Sequence, residues 1–287
     1  MLNLCKNVAY STLTVCKMYR SYKGKKFTDR KILSEMVRNI HSIEKGMCLS
    51  TPRMGYGLKK IYYLMQITDQ YINSGYDTSR TELKMVCGAL QSYVKFHKES
   101  NYYNEEIKRI EEYGNRVAHN LGTQTDFSAY GGVIDISYSS ITSTSHTLEQ
   151  AILLRHSVRE FSSAEVNDSL IYEAVRLANH CPSACNRQTT KVYIVDKSKV
   201  KEIQDWLSGI GGFANDANKF LIITGRTSAF NTGEVYQYIV SAGIFTGFLS
   251  LCLNEKGIGN CVIQRPLLCS PTWQKFAKAN AIPEDEQ

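Results

Sequence analysis

The stretch from Val235 to Asn254 carries no formal charge, and a helix of that composition has to be hidden from water. Its length would span a bilayer, and Gly243-x-x-x-Gly247 would suit close helix packing there. Against a membrane stand Tyr236, Gln237, Tyr238, Ser241, Thr246 and Ser250, whose polar groups are costly in hydrocarbon. The stretch therefore predicts a helix buried on most sides inside a domain, or one held in a subunit interface, and no membrane partner. With 287 residues the chain exceeds a typical single domain, so two folding units are expected.

Hydrophobic spacing divides the chain. Ile32, Leu33, Met36, Val37, Ile40 and Ile43 recur at helical intervals between Asp29 and Met47, and the pattern continues over Leu58 to Ile72, Thr81 to Phe96 and Asn104 to Ala118. Breaks at Pro52 to Gly57 and Asn73 to Gly75 make this a bundle or hairpin set, assigned to residues 1–120. Within it, His41-Ser42-Ile43-Glu44-Lys45-Gly46 reads as a helix closed by a glycine cap, the alternative being a site facing a cofactor. Residues 121–146, rich in Gly, Ser and Thr, read as a linker with a short alternating run at Val133-Ile134-Asp135-Ile136. From residue 147 onward helices and strands mix. Helices are expected at Asp168 to His180, Val200 to Leu207 and after Ser270-Pro271, and strands at Thr189 to Asp196, Lys219 to Thr224 and Cys261-Val262-Ile263. The fold class is α+β, with helices on a central sheet.

Chemistry concentrates in Arg155-His156-Ser157-Val158-Arg159-Glu160-Phe161, which follows an amphipathic run (Leu148, Ile152, Leu153) opened by Ser145 and Thr147. Two arginines, an imidazole and a hydroxyl can converge on a phosphate dianion, although cations also suit the end of a helix. The formal charge of +7 comes from basic residues spread along the chain, without a Lys/Arg block or nucleic-acid motif, so no nucleic-acid partner is expected. The nine cysteines are odd in number and irregularly spaced, with no C-x-x-C pair. Scattered thiols predict a reducing cytoplasm and no metal site. The stretch after Lys6 is too polar for a secretory leader and reads as helical. Gly257-x-Gly259 and Gly209-Ile210-Gly211-Gly212 follow helices instead of opening them after a strand, which argues against a dinucleotide loop.

Taken with Pro182-Ser183-Ala184-Cys185-Asn186-Arg187-Gln188 downstream, the Arg155 to Phe161 motif resembles the FMN-dependent nitroreductase family in order, spacing and residue type, from Thr147 to the C-terminus. The resemblance implies a nitroreductase-like sandwich of helices around a central, mostly antiparallel sheet over residues 147–287. It implies that Arg155, His156 and Ser157 contact the FMN ribityl phosphate, that Arg159 lies near the pyrimidine end of the flavin, that Asn186 bonds the pyrimidine edge with Gln188 as support, and that Gln264 offers its backbone N–H near flavin N5. It further implies a homodimer and a ping-pong transfer of hydride from NAD(P)H, through N5, to a small electron-poor acceptor of nitroaromatic or quinone type, with no catalytic side chain. Departures are Arg265 where the family has glycine and Thr189-Thr190 in place of Pro-Trp. The chain also ends at Gln287, before the family's last strand and basic phosphate residues, so the domain is expected to be C-terminally truncated. Alternative readings are a flavin-binding protein without turnover and a helical scaffold that retains the fold.

Overall fold

The computed structural model describes residues 5, 8, 9, 11–13, 15, 16, 29–122, 126–134, 147–231, 233–264 and 271–287. They fall into two compact units, one within Arg20–Asp135 and the other drawn from Met1–Tyr19 and Ile136–Gln287. The described residues between Cys5 and Cys16 are helical. Arg265, the Ser270 cap and the Asp135-Ile136 part of the expected alternating run lie outside the described residues.

The first unit is built from α1 (Asp29–Met47), α2 (Leu58–Asn73), α3 (Thr81–Glu99) and α4 (Glu105–Leu121). Their apolar stripes meet in one core that includes Ile32, Met36, Ile43, Leu64, Leu83, Leu90 and Ile110. Local chemistry sets the ends: Asn104 accepts the Ile107 N–H at 3.1 Å ahead of α4, and Glu105 and Glu106 fill its first turn. Gly46, expected to cap α1, lies inside it, since the helix continues to Met47. Its role is steric, because a Cβ there would fall 2.0 Å from the Tyr56 ring, whose hydroxyl donates to the Ile43 carbonyl at 2.7 Å. In the same motif His41 is exposed, and Glu44 accepts the Gly132 N–H at 2.8 Å. The composition-defined linker is thus partly built into this unit. Phe127 is buried in the core, and its carbonyl would lie 2.5 Å from a Cβ on Gly88, so the segment rests directly on the backbone of α3.

The second unit is α+β. It comprises α5 (Leu148–Leu154), α6 (Asp168–Ala178), β1 (Thr190–Asp196), α7 (Val200–Trp206), β2 (Lys219–Gly225), α8 (Gln237–Glu255) and α9 (Pro271–Ala279). β1 and β2 pair antiparallel, from Thr190 opposite Gly225 to Asp196 opposite Lys219. Ala174 and Ala178 of α6 and Phe245, Leu249 and Leu253 of α8 form a core against which Val192, Leu221 and Ile223 of the sheet pack. Small residues on α6 let α8 approach closely, and each fully buried Leu or Phe stabilises by about 1.5–3 kcal/mol. Past β2, Arg226 pairs with Glu286. The buried Glu286 carboxylate accepts from the Tyr193 hydroxyl at 2.6 Å, the Thr224 hydroxyl at 2.9 Å and Arg226 at 2.9 Å. Burial, then the bond to Glu286, pushes the Tyr193 phenol up to about 12.

Two expectations change. By length and composition α8 is the one helix among the described residues that could cross a membrane, and it packs on α6 and the sheet. It is buried on one side, not most: Ser241, Phe245 and Leu249 are covered, while Val240, Gly243, Ile244, Gly247 and Phe248 are exposed. The strand expected at Cys261-Val262-Ile263 has no ladder. Among the described residues the segment's one bridge is Asn260 with Ser157, because β-branched residues become a strand only where a neighbouring edge receives them.

The helical unit contains a group that couples its stability to pH. His97 of α3 is 0 % exposed; Nδ1 sits 2.8 Å from the Tyr93 carbonyl, and Nε2 accepts the Gly55 N–H at 3.0 Å. Those contacts require the neutral ring carrying its proton on Nδ1. Burial outweighs the bond to Tyr93 and lowers the His97 pKa from 6.5. As pH falls below about 6.5 the unfolded chain takes up a proton that the folded unit refuses, so stability present at higher pH is lost. Protection factors for α3 amides, measured by hydrogen exchange, are expected to fall as pH drops through that range. A profile that stays flat would contradict the assignment.

Candidate functional site

In the second unit the Arg155 motif is positioned by helix α5. Thr147 accepts the Gln150 N–H at 3.2 Å while the Gln150 side chain accepts the Thr147 N–H at 2.9 Å, a reciprocal cap that fixes the first turn. The helix is only two turns long and stops at Leu154, so Arg155 is its C-cap and the basic cluster continues as extended chain. Ser157 bridges Asn260 in parallel, and the Val158 N–H donates to the Asn260 carbonyl at 3.0 Å. Two segments far apart in sequence are stitched side by side at this point.

Asn260 holds its own loop as well. Ser250, buried in α8, donates to Asn260 Oδ1 at 2.7 Å, and Asn260 Nδ2 returns bonds to the carbonyls of Ser250 at 3.1 Å and Ile258 at 3.3 Å. Gly257, at φ 71, lets the chain leave α8, with the Ile258 N–H reaching back to the Leu253 carbonyl at 2.9 Å. Gly259 packs against Val158, where a Cβ would meet the valine methyls at 3.2 Å. These glycines serve helix exit and close packing, as their position after a helix suggested.

A cavity of about 1160 Å³ opens beside this stitch, and Arg155, Phe161 and residues 258–264 contribute to its wall together with β2 and α8. Arg155 and Gln264, separated in sequence, therefore line one space. His156 and Arg159 are half-buried and Ser157 is exposed next to it, and none of the three is part of its wall. Arg159 turns back on its own backbone, donating to the Ser157 carbonyl at 3.3 Å, and its buried Nε has no acceptor.

Asn186 and Gln188 are not part of this wall; they are exposed on the turn that follows α6. That turn is strained: Cys185, Asn186 and Gln188 have φ of 51°, 53° and 49°. Left-handed backbone costs a non-glycine residue about 1–2 kcal/mol, with Asn tolerating it best. The Gln188 N–H donates to Ser183 Oγ at 3.1 Å, and the Gln188 side-chain amide lies 3.4 Å from Asn186 Oδ1, so one amide braces the other. The Ala184 N–H reaches Ser241 Oγ of α8 at 3.4 Å. Arg187 makes a two-point bond to Glu234, both contacts 3.0 Å, and lies over the Phe230 ring at 4.9 Å. That hydrogen bond holds the Glu234 carboxyl below its ordinary range. Cys181, behind the turn, is buried and its thiol is pushed up by burial, which makes it inert packing.

The one motif cation on the cavity wall is the Arg155 guanidinium, set among mostly apolar residues, which suits an anionic group on a largely apolar ligand. His156, Ser157 and Arg159 follow it in the chain but stand off that wall. Sequence reasoning missed Asn260, Arg187 and Glu234. The available signal for Asn260 was Ser250, a hydroxyl on the buried side of an apolar helix that needs a partner.

The C-terminal part of the chain carries the pattern of the Nitroreductase family, whose sequence model matches residues 152–222. No curated protein matches the chain. Similar solved structures include an FMN-dependent nitroreductase from Clostridium difficile R20291, 21% identical over 48% of this chain and 80% of its own, with a TM-score of 0.41. A nitroreductase family protein from Clostridium novyi NT is 15% identical over 50% and 80% respectively, with a TM-score of 0.43. An iodotyrosine deiodinase bound to FMN and 3-iodo-L-tyrosine is 20% identical over 49% and 84%, with a TM-score of 0.40.

The stitch yields an expectation of its own. Asn260→Ala leaves the buried Ser250 hydroxyl without its acceptor and is expected to cost about 1–3 kcal/mol. Urea unfolding should show a lower midpoint with an unchanged slope, and amide exchange at residues 257–260 should rise.

Proposed function

We propose that this chain is an FMN-dependent oxidoreductase whose cofactor is held at the cavity beside Arg155. The observation that carries the reading is the meeting of the Arg155 motif and the segment leading to Gln264 through the Ser157–Asn260 bridge, at the wall of one large cavity. The Nitroreductase family match over residues 152–222 supports it.

In this reading Arg155, His156 and Ser157 hold the phosphate through charge-assisted and hydroxyl donors. Arg159, with one nitrogen still to be satisfied, serves the electron-rich end of the ring, Asn186 braced by Gln188 serves the ring edge, and Gln264 contributes its backbone. FMN bound there would supply hydride-transfer chemistry between NAD(P)H and an electron-poor acceptor of nitroaromatic or quinone type, the two using the site in turn. The chain's residues bind and orient, and no side chain is asked to act as acid or base. Apolar residues of the cavity wall, Phe161 and Leu249 among them, would give a bound ring surroundings poor in water. A cytoplasmic setting accords with the cysteines, which are free throughout the described residues.

Arg155→Ala is expected to cost on the order of 1.5 to 3 kcal/mol of FMN affinity, since it removes a charged donor from the phosphate. Titration of the purified chain with FMN, followed by flavin absorbance, measures this. Equal affinity in both proteins would refute the phosphate assignment, and no binding by either would refute the cofactor.

The open face of α8 completes the reading as a homodimer contact. Val240, Ile244 and Phe248 are 53%, 36% and 43% exposed, on the side of the helix opposite its core contacts. An apolar stripe of this kind is covered in a stable protein, and a two-fold copy covers it with itself. Light scattering is expected to report a dimer, and Phe248→Asp should convert it to a monomer with little loss of helix. A monomeric parent protein at micromolar concentration would count against the interface.

A further inference from the structure

Three of the four residues Cys185 to Gln188 adopt left-handed backbone without being glycine, and they are exposed. Exposed side chains supply no packing that would force such a conformation, so the strain has to be held by anchors nearby. The exception in the series is Arg187, at φ −75°, between Asn186 and Gln188. Its guanidinium is the one charged anchor of the turn among the described residues, bonded at 3.0 Å to each oxygen of Glu234 and resting on Phe230. Glu234 is fixed in turn, accepting the Asn231 N–H at 2.9 Å and the Asn231 side-chain amide at 3.1 Å.

We infer that the Arg187–Glu234 pair is a positioning clamp: it holds the turn in its strained form, so that the Asn186 amide, braced by Gln188, is set before the cofactor arrives. The inference rests on the flavin reading and extends it to residues that touch no ligand. A planar guanidinium on a carboxylate with two parallel bonds fixes orientation as well as distance, which a lysine cannot do. Without the clamp Cys185, Asn186 and Gln188 relax towards right-handed backbone, and binding must first restore the turn, which lowers affinity by the fraction of molecules still in the competent form.

The test uses the full chain, with FMN as probe and two readouts: FMN affinity, and amide exchange at residues 185–188 in the absence of flavin. Arg187→Ala is expected to weaken FMN binding about tenfold and to raise exchange across the turn. Glu234→Gln, which keeps the shape but removes the charge and turns one of the two accepting oxygens into a donor, should do the same, and Arg187→Lys should fail to restore either readout. The double variant should be no worse than either single one, because both remove the same interaction. Unchanged affinity and exchange would overturn the clamp. So would additive losses, or a loss of affinity with exchange unaltered, which would make Arg187 a direct ligand. Absence of FMN binding by the unsubstituted chain would sink the cofactor reading instead, and the exchange data would then decide the clamp alone.

Discussion

Helix α8 is stable in water only because one of its sides is taken up by α6 and the sheet, and the geometry of the second unit follows from that burial. Phe245, Leu249 and Leu253 sit against Ala174, Ala178, Leu221 and Ile223. Because the small residues lie on α6, the two helices come close, and the sheet packs on α8. The polar groups on the same side of α8 then act as specific anchors. Ser250 takes Asn260 and so directs the chain leaving the helix, while Ser241 takes the backbone of the turn after α6. A buried hydroxyl is costly unless it is bonded, so these two serines limit how the loops on either side can be arranged.

The helical unit is organised on another principle. Tyr93, Tyr113 and His97 are buried and Tyr56 is half-buried, each with a polar atom tied to backbone: Tyr56 to Ile43, Tyr93 to Tyr56, Tyr113 to Met65 and His97 to Gly55. Each aromatic ring contributes apolar area while its polar tip fixes a loop or a helix end. Burial raises the Tyr56, Tyr93 and Tyr113 phenols and lowers the His97 imidazole, so all four are neutral in the folded state. Ion pairs such as Lys98 with Glu111 and Arg116 with Asp69 lie towards its surface, and Gly46 and Gly88 supply the close approaches that its packing requires.

Strain and anchoring are divided within the candidate site. The Arg155 side is unstrained chain, extended from a capped helix and held by the Ser157–Asn260 bridge. The Asn186 side holds its amides in left-handed backbone under the pull of Arg187 and Glu234. The first arrangement offers charge at the wall of a cavity; the second offers orientation.

Helix positions were legible in the sequence because apolar spacing is local: α1, α6, α7 and α8 fall within a few residues of where periodicity puts them, and Thr147 and Asn104 mark starts through their own side chains. The residue types of the Arg155 motif were legible for the same reason. Other features depend on contacts between distant segments. Gly46 looks like a cap until Tyr56 is seen to need the space. The valine and isoleucine of 261–263 look like a strand until no edge among the described residues is found to receive them. Phe127 looks like linker until it is found in a core. Arg187 looks like one more surface cation, yet its meaning comes from Glu234, forty-seven residues on, and from the φ angles on either side of it. The sequence alone determined which segments are helical, where positive charge collects and that α8 is uncharged from Gln237 to Asn254, since each of these follows from residues a few positions apart. Only the tertiary structure decided which side of α8 stays open, that Arg155 and Gln264 share a cavity, and that the Asn186 turn is held under strain, because each of these depends on which distant surfaces meet.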